Sequence, residues 1–131
     1  MPNVVIVLKN EQEVEAGSRV RRKLMQMIDK AGLDLEDIVI TSADRVLHYK
    51  ELAEANVIVT MGEVAFSAVY ETDQTLGSQR GNILRSPLGP KVVPTFHPNF
   101  VYQRWANQET IEYDLRKAWA TRDTNKMPMR M

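Results

Sequence analysis

Lys91-Val-Val-Pro-Thr-Phe-His-Pro-Asn-Phe-Val-Tyr-Gln-Arg104 is the stretch on which the fold turns. It starts as a short apolar strand, Val92 and Val93, which Pro94 is expected to weaken or end because proline cannot donate to a strand ladder. His97 and Pro98 then fall at the carboxyl end of that strand, the edge at which open α/β sheets hold their ligands. Phe100, Val101 and Tyr102 follow at once. A loop after His-Pro ordinarily faces solvent, so the stretch offers an imidazole, a rigid turn, an apolar projection and a cation at Arg104. The plainer alternative is a strand end whose histidine caps a backbone carbonyl and whose aromatics pack inward.

Working outward, three more apolar runs read as buried strands: Asn3 to Leu8, Asp37 to Thr41 and Asn56 to Met61. Between them the period changes to that of helices. Ser18 is a good N-cap, and Val20, Leu24, Met27, Ile28 and Ala31 form one apolar stripe before Gly32 stops the helix. Tyr49 to Ala55 fits a short helix. Another follows Gly62 and carries Val64, Ala65, Ala68 and Val69. The last runs from Gln108 to Thr121, capped by Asn107, with Ile111, Leu115, Ala118 and Trp119 on its inner stripe. Lys9 to Ala16 reads as a polar loop with the acids Glu11, Glu13 and Glu15. Glu71 to Pro90 reads as loops with one short hairpin strand at Asn82 to Leu84. Strands alternating with helices imply a parallel sheet, so the expectation is a three-layer α/β/α sandwich with four parallel strands. A single domain over 1–121 and a flexible tail over 122–131 complete it.

Composition narrows the functions. At 131 residues the chain is one domain with room for a core. Lys plus Arg and Asp plus Glu stand at 17 each, so any basic surface must be local. Arg19, Arg21, Arg22 and Lys23 supply one: they crowd the first turns of a helix, where its dipole disfavours cations, which hints at an anionic partner. A merely solvated basic face is the alternative. The absence of cysteine excludes disulfides, thiolate zinc sites and cysteine-ligated iron–sulfur clusters. No glycine-rich phosphate loop follows the first strand, so a dinucleotide fold is unsupported. No cofactor or metal is expected. No run is long enough for a membrane span and no signal pattern opens the chain, so a cytoplasmic location is expected.

The quoted segments, in order, resemble the uracil-DNA glycosylase superfamily, most closely the bacterial and archaeal family-four and family-five type. The matching pieces are Asn56-Val-Ile-Val-Thr-Met-Gly62-Glu-Val-Ala65, Arg80-Gly81, Val92-Val-Pro94-Thr-Phe-His97-Pro98-Asn99 and Asp114-Leu115-Arg-Lys117-Ala118, with Leu33-Asp-Leu-Glu-Asp-Ile-Val-Ile-Thr extending the match upstream. The resemblance covers roughly residues 36 to 120. It implies strand order 2-1-3-4. It gives His97 the role of contacting the uracil carbonyl and stabilising the departing anionic base, and gives the following loop, Pro98, Asn99 and above all Phe100, Val101 or Tyr102, the role of a wedge in the duplex. Arg80 and Gly81 would touch the DNA backbone, alongside Arg19, Arg22 and Arg104.

The first half departs from the family where its chemistry sits. The family follows its first strand with a Gly-acid-Ala-Pro-Gly motif. Here Leu8-Lys9-Asn10-Glu11 stands there, with Lys9 about where the acid belongs. No aromatic lies in residues 9 to 20 to stack on a flipped base. Ser42 follows Thr41 where the family has an asparagine that reads the uracil edge. Lys9, Asn10 and Ser42 are therefore expected to be degenerate positions; Glu11 or Glu13 could substitute as the acid, but nothing in the sequence marks either for it. Three functions follow: a glycosylase-like protein with impaired catalysis that binds DNA, a replication polymerase, or both, since some relatives serve as polymerase processivity components; a compact active uracil-DNA glycosylase; and a protein-interaction module that no longer binds DNA.

Overall fold

The computed structural model describes residues 3–48, 50–70, 75–86 and 89–123. The chain folds as an α/β domain around one five-stranded, mostly parallel sheet. The strands are β1 (Val4–Leu8), β2 (Ile38–Ser42), β3 (Val57–Met61), β4 (Leu84–Arg85) and β5 (Lys91–Thr95), in the order β2-β1-β3-β5-β4. The four long strands are parallel and stand in the expected order. The expectation of four strands is corrected to five: β4 pairs antiparallel with the start of β5, Leu84 opposite Val92 and Arg85 opposite Lys91. The short hairpin strand expected at Asn82 to Leu84 thus lies at Leu84–Arg85, the two residues that pair with β5.

Helices cover both faces. The apolar residues of β1 alternate between them, as the two-residue strand period requires. Val4, Ile6 and Leu8 join Leu24, Met27 and Ile28 of α2 (Arg19–Ala31) and Ile111, Leu115 and Ala118 of α6 (Ala106–Ala120). Val5 and Val7 join Leu52 of α3 (Lys50–Glu54) and Ala65 and Val69 of α4 (Glu63–Val69). Both faces of the sheet are thereby buried, which is why its strands read as unbroken apolar runs.

Ser18 caps α2, accepting from the Arg21 amide, and Gly32 ends it. Two boundaries differ from expectation. α6 begins two residues early, after Trp105, and Asn107 instead donates its side-chain amide to the Phe100 carbonyl. In α4, Val64 and Ala68 face outward while Phe66 is buried, so the helix is rotated from its expected stripe.

Pro94 does not end its strand. β5 continues to Thr95 because Pro94 turns its peptide edge away from β3, past the end of β4, where its carbonyl accepts from the Gly81 amide at 2.8 Å. The missing N–H falls where no ladder partner stands. Residues 71–74, 87–88 and 124–131 lie outside the described set, and with them parts of the expected loop region and nearly all of the expected tail.

Candidate functional site

Three parallel strands deliver their following residues to one edge of the sheet. β1 leads into Lys9 and the short helix α1 (Glu11–Val14), β3 into Gly62 and Glu63, and β5 into His97 and the 3-10 turn Pro98–Tyr102. Lys9, Glu13, Gly62, Glu63 and His97 line a pocket of about 360 Å3 that also takes in Met61, Val64, Leu76, Asn99, Phe100 and Gln103.

His97 is at its centre. The imidazole Nδ1 accepts from the Asn99 amide at 3.1 Å, so His97 caps its own turn. A neutral ring with an accepting Nδ1 carries its proton on Nε2. That N–H donates to Glu13 Oε2 at 2.8 Å, with 16% of the histidine side chain and 14% of the glutamate side chain exposed. Neither the free loop imidazole nor the backbone cap describes it fully: one nitrogen fixes the turn and the other holds a carboxylate.

The position of Glu13 follows from its neighbours. Asn10 caps α1, its side-chain oxygen accepting from the Glu13 amide at 3.1 Å. Asn10-Glu-Gln-Glu13 thus follows the capping-box spacing, in which the acid three residues after the cap reaches back over the helix start. Here Glu13 Oε1 reaches one residue further and accepts from the Lys9 amide at 3.0 Å, leaving Oε2 for His97. The sequence between Lys9 and Ala16 is therefore not plain loop. The Asn-x-x-Glu spacing was the signal that could have singled out Glu13.

Gly62 sets the depth of the pocket. Its φ is 96°, and a Cβ there would lie 3.1 Å from His97 Cβ. Its amide donates to the Thr95 carbonyl at 3.0 Å, which clamps the ends of β3 and β5 together beneath the histidine. Glu63 lines the same pocket and accepts at 3.1 Å from the amide of Leu76, which opens the short helix α5 (Leu76–Gln79).

Other expected positions fall elsewhere. Val101 is 7% exposed and belongs to the core, and Pro98 is also buried, so neither can serve as part of a wedge. Phe100 is 37% exposed and its ring stacks on Phe96 at 5.1 Å between centroids. Tyr102 is 51% exposed and lies under the Arg19 guanidinium, 3.9 Å from the ring centroid. Gly81 is buried and cannot touch a DNA backbone. Its φ is 78°, and a Cβ would meet Asp114 Oδ1 at 3.0 Å. Arg80 is committed to Asp114, donating from Nη1 to both carboxylate oxygens at 2.8 Å. The Arg-Gly pair is thus a structural anchor, and the expected basic strip loses that member.

Arg19 and Arg22 line a separate hollow of about 280 Å3 with Lys23, Gln26 and Tyr102, and Arg104 and Asn99 are exposed on the adjoining turn. Ser42 is fully buried and lines a hollow with Glu11 and Arg45, away from His97. Among the described residues no cluster of His, Asp and Glu could hold a metal ion, and no helix is long and apolar enough to cross a membrane. Compared with known proteins, the chain matches no family model and no curated protein.

Proposed function

We propose that this chain is a uracil-DNA glycosylase-like protein that binds DNA through the pocket beside His97, with uracil excision absent or far below that of an ordinary member of that superfamily. The reading rests on the resemblance of the quoted motifs, and a parallel sheet ordered β2-β1-β3-β5 is compatible with it.

The observation that carries the functional half is the bond between His97 and Glu13. Cleavage of an N-glycosidic bond places negative charge on the leaving base and positive charge on the sugar. A donor near the base and an acid near the sugar stabilise that separation. Here the donor, Nε2–H of His97, is already engaged by a carboxylate of the same chain. A base carbonyl must displace Glu13 to reach it, and a hydrogen bond to a charged group is worth about 1.5–3 kcal/mol. Lys9, not an acid, lines the same pocket, and a lysine there carries the wrong sign for a developing sugar cation. Ser42 stands outside the pocket, so it presents no group there to tell uracil from cytosine.

The same glutamate favours a second reading, the compact active enzyme, because Glu13 is a carboxylate standing beside the histidine in the loop where the family keeps its acid. A single-turnover assay with protein in excess over uracil-containing DNA separates the two. On the first reading the wild type releases little uracil and Glu13→Gln does not reduce it. Robust release that is lost in both Glu13→Gln and His97→Ala would establish the compact enzyme. A replication polymerase as partner remains part of the proposal on resemblance alone.

A further inference from the structure

Four large rings stand in the open, and one of them, Phe100, also lines the pocket beside His97. Trp105 is 75% exposed, Tyr113 59%, Tyr102 51% and Phe100 37%. Three of them fall within six residues that also contain Arg104. Arg19, Arg22 and Lys23 adjoin at the hollow beside Tyr102. Among the described residues none of these four cations is in a salt bridge. Arg19, Arg22 and Lys23 lie in the first turns of α2, with no acid in its first turn to offset the helix dipole.

We propose that this surface binds single-stranded DNA in preference to duplex, stacking unpaired bases on Trp105 and on the face of Tyr102 away from Arg19, while Arg22 and Arg104 follow the phosphates. This rests on the DNA-binding reading above and adds the strand class to it. Two observations carry it. Exposed rings flanked by cations that no carboxylate neutralises among the described residues fit a strand whose base faces are free, and in a duplex those faces are covered by neighbouring bases. The turn also lacks a free wedge with which to open a duplex: Val101 is in the core, Phe100 is stacked on Phe96 with its backbone carbonyl tied to Asn107, and the Tyr102 ring is held under the Arg19 guanidinium. A base must therefore arrive already unpaired, and that lowers the cost of bringing it to the pocket.

Trp105 is a clean position for the test. It stands at the N-cap of α6 but makes no side-chain cap bond, so shortening it removes exposed ring area and little else. The experiment is fluorescence anisotropy with labelled oligo-dT and with the same strand annealed to oligo-dA, at low and high salt. The wild type should bind the single strand more tightly than the duplex. Trp105→Ala and Tyr102→Ala should each weaken single-strand binding on the order of 10-fold, as loss of one stacked base does, with Trp105→Phe largely restoring it. Equal or tighter binding of the duplex, or single-strand binding indifferent to both alanine variants, would overturn the strand preference and leave DNA binding standing. No binding of either probe at low salt would overturn both, and would give the exposed rings to a protein partner.

Discussion

At the scale of single residues, Gly62 has both an unusual conformation and an immovable neighbour. Any side chain at φ 96° is strained, and its Cβ would press on His97 at 3.1 Å. Gly62→Ala should therefore cost about 1–3 kcal/mol, the usual strain of a backbone region open essentially to glycine alone, read as a lower urea midpoint at unchanged slope. Lys91 is another residue under tension. It is fully buried at the start of β5, where its ammonium donates to the Thr121 carbonyl. Burial first, then the nearby Arg85, push its pKa below the ordinary lysine value of 10.5, with Asp123 partly offsetting them. The folded state thus holds this proton less tightly than the unfolded chain. The cost is fully present below the lowered folded pKa and fades as pH rises through it toward 10.5. Across that window, wild type should gain stability relative to Lys91→Met; a stability difference flat with pH would refute the assignment. His97 was legible in the sequence because His-Pro at a strand end is distinctive. Glu13 was not, because its partner lies far along the chain and only a cap spacing marked it.

At the scale of elements, Asp114 joins three of them. From the buried side of α6 it accepts from Arg80, before the Gly81 turn, and from Thr95 Oγ1 at the end of β5 at 2.6 Å. Removing one partner of such a pair strands the other's charge. Asp114→Ala should therefore destabilise by about 3 kcal/mol, the lower end for a buried pair, since Arg80 keeps some contact with water. Asn10→Ala should behave differently. Loss of an N-cap costs about 1 kcal/mol, but it frees α1 and with it the carboxylate on His97, so the change should be larger in the imidazole resonances than in the denaturation midpoint. The long strands and α2 were readable from burial and capping because local and tertiary preferences agree there. The bounds of β4, the start of α6 and the inner face of α4 were not, because each is fixed by what packs against it.

At the scale of the whole molecule, a parallel sheet brings loops distant in sequence to one edge, and the pocket is the product of that convergence. Net charge is zero, yet Arg19, Arg22, Lys23 and Arg104 gather beside that edge. On the proposed DNA-binding reading, affinity should fall steeply with salt, and Arg19→Ala or Arg22→Ala should each make that dependence shallower by about one counterion. The parallel arrangement was legible from the alternation of strands and helices. Which loop residues meet at the edge was legible only in part, since a sequence shows spacing along the chain and not the distance between loops. The most direct measurement is an amide NMR titration of the labelled protein with a uracil-containing single strand. Entry of a base should move the Lys9, Gly62 and Asn99 amides together, because the first and third are bonded to Glu13 and His97 and the second lies beneath that histidine. If the DNA binds while those three amides stay still, the pocket beside His97 is not where a base goes.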